Sequence, residues 1–167
     1  MRLSLHDVLQ ATRVHLGLSI APPPTQIIVA AVLERHGRFL FVEEMVNGVL
    51  CLNQPSGRLE IGESVANGAV RETWEEAGVR FTPTSLVGIY DWYSPKSKNR
   101  YLRFAFTGTV IDWGDGRPHD PAIQKVSWLN RTELAEQKAR HRSPFVFACV
   151  DDFLAGTRYP LGVVTQI

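Results

Sequence analysis

Residues 57–79 read GRLEIGESVANGAVRETWEEAGV. Glu72, Glu75 and Glu76 crowd one short segment, with Glu63 just upstream, in a chain whose formal net charge is only +1. The punctuation is helical. Ser64 can cap the start, and Gly78 stands where a left-handed residue ends a helix, so the spacing predicts a helix over roughly 65–77. At about 100° per residue, Glu72, Glu75 and Glu76 project from one face. Ala66, Val70, Trp74 and Ala77 lie on a roughly opposite, apolar face. The expectation is a helix that buries its apolar side and presents carboxylates to a cleft.

Like charges at this spacing cost only about 0.2–0.5 kcal/mol per pair on an exposed helix, so the acids alone are compatible with a solvated face. In a partly dry cleft the cost rises and a divalent cation would offset it. Carboxylates are hard oxygen ligands that suit magnesium or manganese rather than zinc or copper. Magnesium keeps several waters and bridges to substrate phosphates, so an acidic face that holds it implies a phosphate-bearing substrate. Gly57 and Gly62 flank the loop into the helix, and glycine lets a backbone carbonyl approach an ion closely. Arg71 can orient a neighbouring carboxylate through a forked hydrogen bond.

Outward from this stretch, QIIVAAVLE from Gln26 reads as a strand buried on both faces. The turn Arg35-His36-Gly37 and the run RFLFVEE after it suggest a hairpin, and Asn47-Gly48 marks a second tight turn before VLCLNQP. SLVGIYDWY and RYLRFAFTGTVI read as strands joined by the polar loop SPKSKN. KVSWL is a short strand, Thr132 a cap for a short helix over ELAEQKA, and PFVFACVDDFLAG a helix with Pro144 near its start and Gly156 at its end. Strands interleaved with helices indicate an α/β (α+β) domain, a mixed β-sheet sandwiched between α-helices. That domain is placed at 26–161. Before it comes an arm at 1–25, with an amphipathic helix over 3–18 (Ser4 and Asp7 spaced as a capping box) and an APPP linker; after it comes a tail at 162–167.

With 167 residues, 44% hydrophobic and 21% charged, the chain suits one domain with a proper core. Its balanced charge argues against a broad nucleic-acid footprint, and no stretch approaches a membrane span. Cys51 and Cys149 are too few for a disulfide framework. The first residues make a poor signal peptide, so the cytoplasm is the expected compartment.

The joint spacing of Gly57, Glu63, Arg71, Glu72, Glu75, Glu76, Gly78 and Val79 resembles the signature box of the Nudix hydrolases, with Thr73 a mild departure at an aliphatic position. Segments from VEEMVNGVLCLNQPSGRLEIGES to RYPL are similar to a bacterial phosphatase branch of that family. The resemblance implies a loop–helix–loop metal site. Glu72 and Glu76 become leading magnesium ligands, with manganese able to substitute. Glu75 stands close behind, and the Gly57 carbonyl completes the sphere. Glu63 supports the loop or reaches a second metal, and Arg71 orients Glu72 or Glu75. For the general base the resemblance leaves Glu72 first and Asp120 second, because family bases sometimes lie on the loop before the last strand. Gln124 stands where many members carry an acid, which leaves Asp120 the acidic candidate there.

The implied reaction is removal of one phosphate from small pyrophosphates, namely hydroxymethylpyrimidine pyrophosphate, thiamine pyrophosphate and nucleoside di- and triphosphates. A pyrophosphatase that cleanses nucleotide pools, cutting triphosphates to monophosphate and pyrophosphate, is the alternative. A non-catalytic nucleotide-binding domain is a third reading, which the intact box disfavours. Outside the box, Arg103 on a strand is a phosphate-binding candidate, weighed against a plain strand arginine. Trp92 and Tyr93 are candidates to stack on a base, but alternation sends them to opposite faces. Asn53 and Gln54 are candidates to bond a base edge, or to shape a turn. The partner is a small pyrophosphate or nucleotide rather than nucleic acid or a membrane, and the protein a monomer or homodimer.

Overall fold

The computed structural model describes residues 24–167. The arm expected to carry a helix over 3–18 lies outside the described residues, as do His6 and His15. Eight strands follow: β1 Thr25–Ala31, β2 Glu34–Arg35, β3 Arg38–Val46, β4 Val49–Asn53, β5 Ser56–Arg58, β6 Arg80–Ser94, β7 Asn99–Asp112 and β8 Ile123–Leu129. The α-helices are α1 Val65–Ala77, α2 Arg131–Glu136 and α3 Phe145–Leu154. This is an α+β fold.

The strands form two sheets rather than the single one expected. One is mixed, in the order β5-β1-β7-β6, with β1 and β7 parallel. The other is antiparallel, with β2 and β4 flanking β3 in its main path and β8 also on β3. The hairpin at Arg35-His36-Gly37 does form, with His36 and Gly37 both at positive φ, but it pairs only the two residues of β2 with β3. Strand β1 is not its partner. The Ala31 N–H donates to the Pro55 carbonyl and the Val32 N–H to that of Phe106, so the end of β1 is already committed to the mixed sheet.

Helix α1 has the bounds the sequence predicts. Ser64 Oγ accepts from the Asn67 N–H, and Gly78 ends the helix at φ 68°. In α2 the cap is Asn130, not Thr132. Its side chain accepts from Thr132 and Glu133, and Glu133 reaches back to the Asn130 N–H, because a short amide two residues earlier satisfies more first-turn donors. Strand β6 starts earlier than expected and carries Pro83 at a register shift; it is an edge strand, where proline costs no ladder bond.

The mixed sheet is the middle layer. Val29, Ala31, Leu86 and Phe106 face α1, packing with Ala69 and Ala77. Val32, Val87 and Ala105 face α3, packing with Val146, Cys149 and Val150. The strand registers put Gln26, Tyr101 and Trp92 in one row across the α3-side face, and Arg58 in the next row with Ile28, Arg103 and Tyr90. Two strand spacings, about 10 Å, separate β1 from β6 in the first of these rows.

Candidate active site

The carboxylates gather where α1 crosses strand β5. The buried residues of α1 are Gly68, Ala69, Glu72, Thr73, Glu76 and Ala77. This corrects the helical wheel. Glu72 and Glu76 do not point away from the packed side; they lie on it, while Ala66 and Val70 are only partly buried against the core and Trp74 lies against His119 and Arg80. The helix can sit so close because two glycines leave room. A Cβ on Gly57 would lie 2.1 Å from Glu72 Oε1, and one on Gly68 would lie 3.0 Å from a Val29 methyl. Thr73 belongs to the same packed ridge, fully buried, with its hydroxyl donating to the Ala69 carbonyl at 2.6 Å.

Arg71 organises the remaining acids. Its Nε and one terminal nitrogen fork onto Glu63, at 3.1 and 2.7 Å. The other terminal nitrogen donates to Glu72 Oε1 at 2.7 Å and Glu75 Oε2 at 3.0 Å, and the Arg58 carbonyl accepts at 3.1 Å. Glu63 also accepts from the Glu60 N–H at 2.8 Å. Glu63 therefore sits behind Arg71 as its anchor. These hydrogen bonds from Arg71 hold the Glu63 carboxyl below its usual range and push the guanidinium pKa up.

Glu72 and Glu76 behave differently. Burial pushes Glu72 up, against the pull of Arg71. Burial also pushes Glu76 up, to about 8, opposed by the Ser56 N–H that donates to its Oε2 at 2.8 Å and reinforced by the charges of Glu72, Glu44 and Asp120. A carboxylate held among like charges at a dry strand edge is one that a bound cation would stabilise. Among the described residues no three acidic, histidine or cysteine side chains converge as a finished cage. The oxygen donors and the glycine cradle together fit a hard divalent cation.

Asp120 stands across the site on the loop before β8. Its N–H and that of His119 donate to the Glu75 carbonyl at 2.8 and 2.7 Å, which ties that loop to α1. Asp120 Oδ1 accepts from the Ala122 N–H at 2.8 Å. His119 lies against the Trp74 ring, with centroids 4.3 Å apart.

Arg103, Asn53 and Gln54 bond one another rather than line an open cleft. Arg103 is 3% exposed; its terminal nitrogens donate to Gln54 Oε1 at 3.0 Å, Asn53 Oδ1 at 3.1 Å and Ser56 Oγ at 3.2 Å. Its guanidinium lies over the Phe145 ring at 4.8 Å, and its Nε has no partner. Burial lowers its pKa. Asn53 donates to Ser56 Oγ at 2.9 Å and Gln54 to the Val146 carbonyl at 2.9 Å. In this state the three hold strand β4, strand β5 and α3 together beneath the cleft. Trp92 and Tyr93 part as alternation requires. Trp92 stacks on Tyr101, at 5.6 Å between centroids, and meets Phe145 edge-on, whereas Tyr93 is half exposed on the other face.

Sequence reasoning missed Ser56, Glu44, Tyr101, Arg58 and Arg142. Ser56 joins Glu76 to Arg103, and Tyr101 pairs with Trp92 across the sheet. Only for Tyr101 was a signal available, since an aromatic at the start of one strand invites a cross-strand partner on the next.

The NUDIX domain model matches residues 23–149. The chain belongs to the Nudix hydrolase family. It is therefore an enzyme acting on phosphoric anhydride bonds. It is 36% identical over 138 residues to phosphatase NudJ of Escherichia coli K12, a match covering 83% of this chain and 89% of that protein. Among solved structures, a NUDIX hydrolase from Nitrosomonas europaea superposes with a TM-score of 0.82 at 40% identity, covering 86% of this chain and 97% of that one. A bifunctional NMN adenylyltransferase/ADP-ribose pyrophosphatase from Francisella tularensis, complexed with AMP and a manganese ion, shares the fold at 17% identity. Its TM-score is 0.69, with 90% of this chain and 46% of that one covered. Among the described residues no helix is long and apolar enough to cross a membrane.

Proposed function

We propose that this Nudix enzyme is a magnesium-dependent phosphatase that releases orthophosphate from small pyrophosphates carrying a ring, such as hydroxymethylpyrimidine pyrophosphate, thiamine pyrophosphate or nucleoside di- and triphosphates. The observation that carries this reading is the buried pair Glu72 and Glu76 at the β5 edge of the mixed sheet, whose α3-side face carries the Trp92–Tyr101 stack. The name of the curated relative, a phosphatase, supports orthophosphate as the product.

Glu72, Glu75, Glu76 and the Gly57 carbonyl are the groups that would hold a divalent cation, magnesium or manganese, which when bound would supply charge neutralisation for the pyrophosphate and a more acidic water. Arg71 keeps Glu72 and Glu75 in position, and Glu63 keeps Arg71 in position, so neither carboxylate must reorganise during reaction. Glu72, whose burial raises its basicity, accepts the proton of the attacking water, with Asp120 the second candidate on the facing loop. No covalent protein nucleophile is required, because phosphoryl transfer needs chiefly position and charge stabilisation. Trp92 with Tyr101 supports the ring, and Arg103, Asn53 and Gln54 hold the floor beneath it.

The test is a panel of pyrophosphate esters with magnesium, scoring orthophosphate against pyrophosphate. Orthophosphate from the diphosphate esters supports the reading. Release of pyrophosphate from triphosphates alone would replace it with nucleotide-pool cleansing.

A further inference from the structure

One arginine at this site is held only loosely. Arg142 lies just before α3, where its N–H donates to the Leu52 carbonyl at 2.9 Å and the adjacent His141 bridges Leu52. The backbone is thereby fixed beside Asn53 and Gln54. The side chain reaches across to strand β3, where Nε meets Glu44 Oε1 at 3.2 Å; the two side chains are 45% and 25% exposed. Glu44 pairs with Cys51 on one side and Ile123 on the other, and the Ile123 N–H donates to the Asp120 carbonyl at 3.2 Å. The Glu44 charge reaches Glu76 and the Arg142 charge reaches the Tyr101 hydroxyl, so the Arg142–Glu44 pair stands between the carboxylates and the aromatic pair.

Of the neighbouring cations Arg58 is exposed, and the others are committed. Arg71 is spent on Glu63, Glu72, Glu75 and the Arg58 carbonyl. Arg103 is buried under the floor. Arg140 and Lys125 both face Glu43. A half-exposed pair such as Arg142–Glu44 contributes little, so it exchanges easily for a better anion. A phosphate that accepts two parallel N–H bonds from a guanidinium is such an anion. The Tyr101 hydroxyl also senses this arginine. Its pKa is held below the ordinary value first by its hydrogen bond with Ser97 and further by the charges of Arg142 and Arg58.

We infer that Arg142 is a substrate-binding residue: it leaves Glu44 when substrate arrives and forks onto the inner, ester-bearing phosphate, between the attacked bond at the carboxylates and the ring at Trp92 and Tyr101. This assignment rests on the phosphatase reading above. It gives the enzyme a reason to prefer diphosphates esterified to a ring-bearing group.

The experiment compares wild type, R142A and R142K. With a ring-bearing diphosphate ester, R142A raises KM at least tenfold and leaves kcat within threefold, and R142K recovers part of the loss. Manganese titrated into the free protein binds R142A as tightly as wild type. Calorimetry with manganese and a nucleoside α,β-imidodiphosphate, which is not cleaved, shows the same tenfold weakening. An unchanged KM together with an unchanged affinity for the imidodiphosphate overturns the assignment. So does a variant that loses manganese binding or kcat with KM intact, because Arg142 would then act only through Glu44. If wild type cleaves no pyrophosphate ester, the phosphatase reading fails by itself, and the imidodiphosphate titration still decides whether Arg142 holds a phosphate.

Discussion

Two buried charges of opposite sign lie on either side of Ser56, and they are built differently. On one side Glu76 accepts the Ser56 N–H and has like charges around it. On the other side Arg103 donates to Ser56 Oγ and to the neutral side chains of Asn53 and Gln54. The arginine is nearly satisfied by neutral acceptors and by the Phe145 ring; the carboxylate is left short of positive charge. An arginine bonded to fixed amides in a low-dielectric interior acts as a brace. A carboxylate kept underpaired is a place where a mobile cation gains most. The difference separates the groups that hold the floor from the groups that carry the chemistry.

Breaking the acidic side produces the largest effect. E76Q is expected to lower kcat by on the order of 100-fold or more while the metal-free protein melts no lower than wild type, because charge stabilisation is lost without loss of packing. Steady-state kinetics beside a melting curve check this, and undiminished turnover would remove Glu76 from the metal site. G57A comes next. Its Cβ would fall 2.1 Å from Glu72 Oε1, so Glu72 must move, and turnover is expected to fall tens-fold with weaker manganese binding.

Breaking the basic side affects stability first. R103M leaves Asn53, Gln54 and Ser56 without their donor in a buried setting, at a cost of about 2–3 kcal/mol in denaturant unfolding. A loss of activity with unchanged stability would instead make Arg103 a substrate ligand. A pH dependence sharpens the contrast. The Glu76 pKa is raised in the folded protein to about 8 from an ordinary 4.5, so the folded state binds the extra proton between those values. Metal-free protein is therefore expected to be more stable near pH 5 and to lose stability as pH rises toward 8. Magnesium or E76Q should flatten that slope in melting curves across this range.

Some of this was legible in the chain itself. The bounds of α1 followed from Ser64 and Gly78, because capping is a local property of a few residues. The family followed from the spacing of Gly57, Glu63, Arg71 and the three glutamates, since a loop and a helix of fixed length transmit spacing directly into geometry. Trp92 and Tyr93 were separable for the same reason, by the two-residue period of a strand. The burial of Glu72 and Glu76 was not legible. A wheel built from hydrophobicity turns the apolar face inward, and only close packing on Gly57 and Gly68 lets the acidic ridge turn in instead.

The sequence by itself determined the helix, its caps, the order of most strands and the set of acids on one segment, all of which depend on neighbours within a few residues. The tertiary structure decided the rest: the split into two sheets, the burial of Arg103, Asn53 and Gln54, the bridge at Ser56, and the meeting of Arg142 with Glu44. Those contacts join residues far apart in the chain, and whether a charge meets water, a neutral amide or another charge depends on how the layers pack, which no local pattern encodes.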